Sequence, residues 1–406
     1  MGGFLKNMEW LGRARADAYL RILAFLNISI LIFIVATSHR GIDRNGFLIG
    51  TDFISFWTTG HMLQQGGDVY DAAAHIARQR QFFATDSGYT AFFYPPSFLP
   101  ICWPLGLFGY FPALAAWLIT TGALYIAAVR EWWLRAGEPA PLWLLVLAFP
   151  AVPLVITHGQ TSFLVATLLG LGALLVRQRP DLAGVLFGLA TIKPQFGPLI
   201  PLALMLTREW RTVFSAAATT ILLMMLAVVL SGPGVWTEWL AASARAQAAM
   251  EAGGVPFGKM VSVFAGARLL GADVSFSYGL QVASAIGVGL GIGLLCRQHR
   301  WSAGLGAAVL AGALLVTPFA LDYDLVLLAF PMLWLLGEGL RNGFREWEKL
   351  ALALAFVAPA FARPLALNLS IPIMPAVLAL LFAVIVLRAT NPAPVHWQEH
   401  ELQGTS

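Results

Sequence analysis

The chain has 406 residues, of which 58% are hydrophobic and only 11% are charged, and its mean hydropathy is +0.74. Soluble globular proteins are about 25% charged, so this composition excludes an ordinary water-soluble domain. The net charge of +4 comes largely from Lys and Arg beside apolar segments, which is usual for a membrane protein and indicates no nucleic-acid partner. Cys102 and Cys296 lie far apart in apolar segments and indicate neither a disulfide framework nor a metal site.

Long apolar segments predict an all-α, polytopic integral membrane protein. LRILAFLNISILIFIVA and GLQVASAIGVGLGIGLL approach the roughly 20 apolar residues that cross a bilayer, and about 11 to 13 such spans follow one another along the chain. Their continuity excludes a β-barrel, whose strands alternate apolar and polar residues. The basic N-terminus precedes a long apolar segment without a clear cleavage site, so we expect a retained first helix.

The positive-inside rule orients these spans in an inner (plasma) membrane. The basic segments expected in the cytoplasm are the N-terminus, RQR (177–179), REWR (208–211), RQHR (297–300) and RNGFREWEK (341–349). The opposite face then receives GTDF (50–53), THGQ (157–160), IKPQ (192–195), SGPG (231–234) and TPFALDYD (317–324). Nearly all unusual polar residues of the membrane part are therefore predicted to gather on the periplasmic or exterior side.

One region does not fit the predicted number and orientation of the spans. Two short spans within residues 97–129 would leave Arg130 and Arg135 outside, against the positive-inside rule. Either the stretch 141–158, interrupted by Pro150 and Pro153, does not cross fully, or the hairpin is a single bent passage.

Two predicted external segments are too long to be simple turns. The first, 38–96, has two amphipathic patterns expected to form helices at the lipid surface, with Trp57, Phe82 and Phe83 towards lipid. The second covers 232–275. We find no internal repeat and no separate soluble domain, so 1–406 is predicted to be one membrane-embedded domain. The polar residues 391–406 are expected to form a flexible cytoplasmic tail.

Asp52 is the first candidate for chemistry, because it is a single acid at the external end of the first span. It caps the following helix, or it acts as a catalytic base, and the two roles are compatible. His61 follows nine residues later on the same predicted helix. Tyr94 precedes Pro95 and Pro96, which must begin a new helix because proline cannot continue one.

Polar residues at three later turns complete the candidate site. His158 and Gln160 lie at a bilayer boundary, where unsatisfied donors are costly. Lys193, one of four lysines, interrupts an apolar run and either snorkels or pairs with a protein carboxylate or a substrate phosphate. Asp322 and Asp324 are spaced i, i+2, which does not favour a paired-carboxylate site. No nucleotide-binding loop or metal-ligand motif occurs, so we expect no cofactor and no metal.

The chain resembles glycosyltransferase family 87, polyprenol-phosphate-sugar-dependent enzymes of the GT-C superfamily that include α-mannosyltransferases. The resemblance extends from about residue 15 to 390. It rests on the order and spacing of GTDFISFW, DVYD, FYPP, HGQTSFL, GVLFGLATIKPQ and TPFALDYD.

This resemblance implies a GT-C-type fold and an extracytoplasmic site at which Asp52 deprotonates an acceptor hydroxyl. The donor would be a sugar, with mannose favoured, on a polyprenyl phosphate, and the acceptor a glycolipid or polysaccharide in or near the membrane lipid. Transfer would invert the anomeric carbon, and Lys193 and His158 would stabilise the departing phosphate. The remaining candidates, Gln160, Tyr94, His61, Asp322 and Asp324, would line the substrate site.

Departures from the family pattern leave alternatives open. Many relatives carry His or Ser where this chain has Leu321, Asp322 and Tyr323, so the sugar is a hypothesis. A secondary transporter would also have many spans, but it usually shows inverted repeats. A ligase or polymerase of the O-antigen type would use a diphosphate-linked glycan and external arginines, such as those in the first loop.

Overall fold

The computed structural model describes residues 2–83, 90–297 and 299–391, and these residues are mainly helical, with isolated bridges and no strand. The predicted tail therefore lies outside the described residues, except for Asn391. The α-helices are α1 (Gly2–Asn7), α2 (Arg13–Ala36), α3 (Phe53–Gln64), α4 (Ala72–Phe82), α5 (Leu99–Leu105), α6 (Tyr110–Arg135), α7 (Leu142–Ala148), α8 (Ala151–His158), α9 (Ser162–Leu175), α10 (Pro180–Leu189), α11 (Leu199–Leu206), α12 (Trp210–Ser231), α13 (Val235–Glu251), α14 (Val263–Leu269), α15 (Val274–Cys296), α16 (Ala303–Val316), α17 (Ala329–Asn342), α18 (Glu348–Leu369) and α19 (Met374–Thr390).

Several of these helices have the length and composition of membrane spans. Six segments of the described chain are long and apolar enough to cross a bilayer: α2, α6, α12, α15, α18 and the stretch Asp322–Asn342. Shorter apolar helices, α9, α16 and α19 among them, pack between these. The all-helical, multi-pass membrane protein that the sequence predicts is thus confirmed at this level.

Basic segments that the sequence predicts on one face meet at one end of the helix bundle. Arg177 Nη1 lies 3.2 Å from Glu209 Oε1, which joins the RQR and REWR segments. Lys6 Nζ lies 2.9 Å from Glu346 Oε1, which joins the N-terminus to the loop before α18. Arg341 donates a hydrogen bond of 2.6 Å to the carbonyl of Arg135. We refer to this as the basic end of the bundle.

Around residues 97–129 the structure has one long helix, α6, in place of the two short spans that the sequence suggests. α5 ends at Leu105 after seven residues and packs against α3. α6 begins at Tyr110, whose hydroxyl shares its one proton between the carbonyls of Ile49 and Gly50, and it ends at Arg135 in the basic end. α7 and α8 follow it as two short helices, separated at Phe149 and Pro150. Arg135 therefore lies with the other basic segments.

The first external loop is folded into the protein more deeply than predicted. Nine of the twelve residues of α3 are buried, among them Trp57, which is only 3% exposed. The expectation that Trp57 faces lipid is therefore wrong. The cause is close packing on α5, since a Cβ atom at Gly60 would overlap the carbonyl oxygen of Cys102. Phe82, at the end of α4, is exposed as expected.

Helix α4 is attached to this loop by a buried histidine. His75 Nδ1 accepts a hydrogen bond of 3.0 Å from the Gln79 side-chain amide, and Nε2 lies 3.1 Å from Thr59 Oγ1. Because Thr59 Oγ1 donates its own proton to the Ser55 carbonyl, His75 is the donor in the second contact. Gln79 also exchanges two hydrogen bonds with the backbone of Thr90, which fixes the chain that leads to Tyr94.

The second external segment closes over the same end of the bundle as the first loop. Trp239 of α13 donates a 3.2 Å hydrogen bond from Nε1 to the Phe93 carbonyl. Val261, before α14, donates from its backbone to the Ala320 carbonyl at 2.9 Å. The long external segment therefore contacts both the FYPP turn and the TPFALDYD turn.

Candidate functional site

Two turns that are distant in sequence are joined through their backbones. The amide of Gly50 donates to the Thr157 carbonyl, and the amide of Asp52 donates to the His158 carbonyl, both at 2.9 Å. Gly159 makes this approach possible: its φ is +64°, and a Cβ atom there would lie 2.6 Å from Cβ of Phe53. The GTDF and THGQ segments thus form one rigid unit.

Asp52 precedes α3, but its side chain does not cap that helix. Its backbone has helical angles, and no capping hydrogen bond from its carboxylate to the helix amides is present. Instead, Oδ2 accepts a hydrogen bond of 2.8 Å from Nε2 of Gln160. The carboxylate is only partly buried, so an oxygen remains available to a substrate.

Gln160 is fixed from its other side by Tyr94 and Thr161. Its Oε1 accepts hydrogen bonds of 2.8 Å from the Tyr94 hydroxyl and from the Thr161 amide. Burial raises the pKa of the Tyr94 phenol, which therefore keeps its proton and remains a donor. Because Oε1 is occupied by donors, the amide nitrogen must face Asp52. Tyr94 and Gln160, two of the predicted site residues, thus orient the carboxylate of a third, Asp52.

His158 lies on the opposite side of the same turn. Its Nδ1 is 2.8 Å from the Leu154 carbonyl, which can only accept, so Nδ1 carries the proton. Nε2 then has a free lone pair, and Nη2 of Arg363 lies 3.5 Å from it. His158, a predicted site residue, therefore contacts Arg363, a cation that is not among the residues predicted from the sequence.

Arg363 of α18 forms a bidentate ion pair with Asp322. Nε lies 2.6 Å from Oδ2 and Nη2 lies 2.9 Å from Oδ1. Asp322 is buried, whereas the Arg363 side chain remains 23% exposed. The arginine therefore presents part of its guanidinium to the space around His158, with its orientation set by the aspartate.

Lys193 is buried and pairs with Asp324. The Nζ–Oδ1 distance is 2.5 Å, and both side chains are at most 4% exposed. Asp324 also accepts hydrogen bonds from Ser162 Oγ at 2.6 Å and from the Leu321 amide at 3.2 Å. The sequence leaves three alternatives open for Lys193: snorkelling, a protein carboxylate or a substrate phosphate as its partner. In the structure Lys193 pairs with a protein carboxylate. Asp322 and Asp324 thus bind different cations, as their spacing indicates.

His61 lies away from these residues. Its ring packs between Trp57 and Phe82, with centroid distances of 4.3 and 5.3 Å. Burial and the nearby Arg78 lower its pKa. Nine residues of helix separate His61 from Asp52 by roughly 13 Å. The structure therefore does not bring His61 to the group formed by Asp52, Tyr94, Gln160 and His158, which we call the cluster.

A cavity of about 440 Å³ lies between the two external segments, beside the cluster. Asp68, Tyr70 and Asp71 line it from the first loop, and Glu238 and Arg245 from α13. The Tyr70 hydroxyl donates to the Tyr94 carbonyl at 2.8 Å, so a single tyrosine connects the cavity wall to the residue that orients Gln160.

Comparison with known proteins gives one match. The model of glycosyltransferase family 87 matches residues 92–318, which is more than half of the chain. The matched region includes Tyr94, His158, Gln160 and Lys193, whereas Asp52 and Arg363 lie outside it. No curated protein and no solved structure matches the chain. The family that the sequence resembles is therefore confirmed.

Proposed function

The chain belongs to glycosyltransferase family 87 and is a membrane glycosyltransferase; from that premise, we propose that it takes a sugar from a polyprenyl-phosphate carrier. The acceptor is a hydroxyl of a glycolipid or polysaccharide at the extracytoplasmic face, and mannose is the first sugar to test. Family membership favours this function over the transporter. One observation carries the proposal: the Asp52 carboxylate is free of capping bonds and is held by Gln160 at 2.8 Å.

The proposed orientation places the basic end in the cytoplasm and the Asp52 end outside an inner (plasma) membrane. The basic segments that meet at one end support it, since lysine and arginine are retained on the cytoplasmic side. In this arrangement the shorter apolar helices also cross the bilayer, within the 11 to 13 or so spans that the sequence predicts.

Asp52 is the proposed general base. It removes the proton of the acceptor hydroxyl as that oxygen attacks the anomeric carbon of the donor. The bond between the anomeric carbon and the phosphate oxygen breaks on the opposite face, so the configuration inverts. Gln160 supports this role because it donates a hydrogen bond to one carboxylate oxygen, which fixes the orientation of the carboxylate.

The departing polyprenyl phosphate needs a cation rather than an acid, because it leaves as a phosphate ester. We propose Arg363 for this role, with its guanidinium positioned by Asp322 and by His158, whose Nε2 lies 3.5 Å from Nη2 of Arg363. Lys193 was the sequence-based candidate, but its charge is compensated by Asp324 at 2.5 Å. We therefore propose that Lys193 acts through Asp324. The pair holds the turn that carries Asp322, and Asp322 orients its partner Arg363 on α18.

The acceptor is proposed to enter from the cavity between the two external segments. Tyr70 and Tyr94 lie between this cavity and Gln160, so an acceptor bound there has a short path to Asp52. Carboxylates and an arginine on the cavity wall are suitable partners for sugar hydroxyls.

The decisive experiment is transfer by the purified full chain in nanodiscs. Polyprenyl-phosphate-mannose and the corresponding glucose, arabinose and galacturonate donors would be supplied with a membrane glycolipid extract. Wild type is compared with Asp52→Asn, which keeps the shape and loses the base. We expect transfer with one donor and a loss of about 10²-fold or more in the variant.

Asp43→Asn is the matched control, because Asp43 is a partly exposed carboxylate of the same loop whose hydrogen bonds, within the described residues, come from the nearby amides of Asn45 and Phe47. It should retain transfer. Equal transfer by wild type and Asp52→Asn would disprove the base assignment. Transfer that requires a nucleotide sugar would disprove the polyprenyl-phosphate donor.

A further inference from the structure

A second cavity, of about 330 Å³, lies at the basic end of the bundle, opposite the candidate active site. Two connections line it, the one between α9 and α10 and the one between α11 and α12. Arg177 lines it from the first connection, and Arg208, Glu209, Trp210 and Arg211 from the second. Nothing in the proposed glycosyl transfer uses these residues.

The cavity carries an excess of positive charge. Three arginines line it against one carboxylate, Glu209, which pairs with Arg177 at 3.2 Å. Arg211 pairs with Asp181 outside the lining. Arg208 forms no ion pair within the described part of the chain, and its side chain is exposed. The cavity is therefore electrostatically suited to an anion.

Helix geometry adds to this charge. α10 and α12 both begin beside the cavity, and they pack closely because glycines of α10 contact α12 directly. Neither helix has a hydrogen bond from its N-cap side chain to its first amides. The positive ends of two adjacent helices thus point towards the same space, which supports the arginines in attracting an anion.

An apolar surface leads away from the cavity along α12. Trp210, Phe214, Ile221 and Met225 are all exposed, and their spacing of four, seven and four residues places them on one helix face. Trp210 is therefore shared by the cavity and this face, in the position that tryptophan favours at a membrane interface. A ligand with one anionic and one apolar part fits the combination.

We propose that this cavity binds the phosphodiester headgroup of an anionic phospholipid, with an acyl chain along the exposed face of α12. Charge alone would also suit a soluble phosphate, but the apolar face continuous with the cavity favours a lipid. Basic cavities between membrane helices bind such headgroups, and each arginine near the surface contributes about 1 kcal/mol. The proposal is independent of the glycosyl transfer.

The test is lipid binding by the purified full chain. Short-chain phosphatidylglycerol is titrated into detergent-solubilised protein, and bound lipid is counted by native mass spectrometry, with phosphatidylcholine as the neutral comparison. We expect wild type to bind phosphatidylglycerol preferentially. Arg208→Gln combined with Arg211→Gln should weaken binding roughly 30-fold, which corresponds to about 1 kcal/mol per arginine.

Two further variants make the result decisive. Arg130→Gln removes an exposed arginine near the same end of the bundle but outside the cavity, and it should leave binding unchanged. Arg208→Lys combined with Arg211→Lys keeps the charge and should retain most of the binding, which excludes misfolding as the cause. Equal weakening by Arg130→Gln would overturn the proposal, as would displacement of the lipid by inorganic phosphate at comparable concentration.

Discussion

Asp52 and Gln160 are separated by 108 residues in the sequence, yet Nε2 of Gln160 lies 2.8 Å from Oδ2 of Asp52. The same amide group accepts from Tyr94 through Oε1. The carboxylate is thus positioned by a side chain whose own orientation is fixed by a third residue. This arrangement gives the proposed base a defined direction before any substrate is bound.

We expect Gln160→Glu to reduce transfer more at neutral pH than at alkaline pH. A second carboxylate beside Asp52 raises the pKa of the pair, so that one of the two holds a proton. Gln160→Ala removes the orienting donor without adding charge and should lower kcat by about tenfold to 100-fold at every pH. The measurement is the pH profile of kcat, and identical profiles for the two variants would contradict this account.

Arg363 should be required for use of the donor. Its replacement by Gln removes a charge-assisted contact, and we expect kcat/KM for the donor to fall about tenfold to 100-fold. Because this variant also leaves Asp322 buried without its partner, it is compared with Arg363→Gln combined with Asp322→Asn. If the double variant recovers both thermal stability and full transfer, Arg363 is structural only.

Lys193 and Asp324 should behave as a coupled, buried pair. Lys193→Met leaves an uncompensated carboxylate and should lower the free energy of unfolding by about 3–5 kcal/mol. Combining it with Asp324→Asn, which still accepts from Ser162 and Leu321, should restore much of that loss. A double-mutant cycle on reversible unfolding in mixed micelles measures the coupling. Additive effects would show that the pair contributes no coupling.

The protein should lose stability on acidification because of His75. Burial lowers the pKa of His75 to about 4, below its ordinary value of 6.5. Between these two values the unfolded chain binds more protons than the folded one, so the contribution of neutral His75 is complete above pH 6.5 and is lost as the pH falls to about 4. The loss is on the order of 3 kcal/mol. Unfolding measured across this range should show a shallower slope for His75→Gln, and an unchanged slope would refute the assignment.

Gly159→Ala should disrupt the site as well as the fold. The left-handed backbone costs an alanine about 1–2 kcal/mol, and its Cβ would also collide with Cβ of Phe53. Gly137→Ala is the control, since Gly137 has φ of +83° and open space around its Cβ position. Both variants should lose thermal stability, Gly159→Ala more strongly, and only Gly159→Ala should lose transfer. Loss of transfer in both would contradict the specific role of the turn.

The sequence predicts the fold class and the convergence of the GTDF, THGQ, IKPQ and TPFALDYD turns, because hydropathy and basic loops determine which ends of spans share a face. It does not predict which acid binds which cation. That choice depends on side-chain geometry between segments far apart in the sequence, such as Lys193 and Asp324, which are separated by 131 residues. Spacing alone could separate Asp322 from Asp324 but could not assign their partners.

Two residues show where the sequence analysis was incomplete. Arg363 interrupts an apolar segment just as Lys193 does, so the same criterion for intramembrane charge would have identified it. The amphipathic pattern predicts that Trp57 faces lipid, but α3 is buried almost all round by contacts with α5, α4 and α6. A short apolar helix gives no periodic signal that distinguishes these two environments.

The backbone hydrogen bonds between residues 50–52 and 157–158 can form only after both segments have been synthesised. Domains form from the N-terminus as the chain emerges, so the loop with Asp52 exists before the turn that fixes it. Asp322, Asp324 and finally Arg363 are synthesised later still. An intermediate without α18 would thus hold the proposed base and its amide partner but no cation for the leaving phosphate, and the centre becomes complete only when one of the last helices inserts.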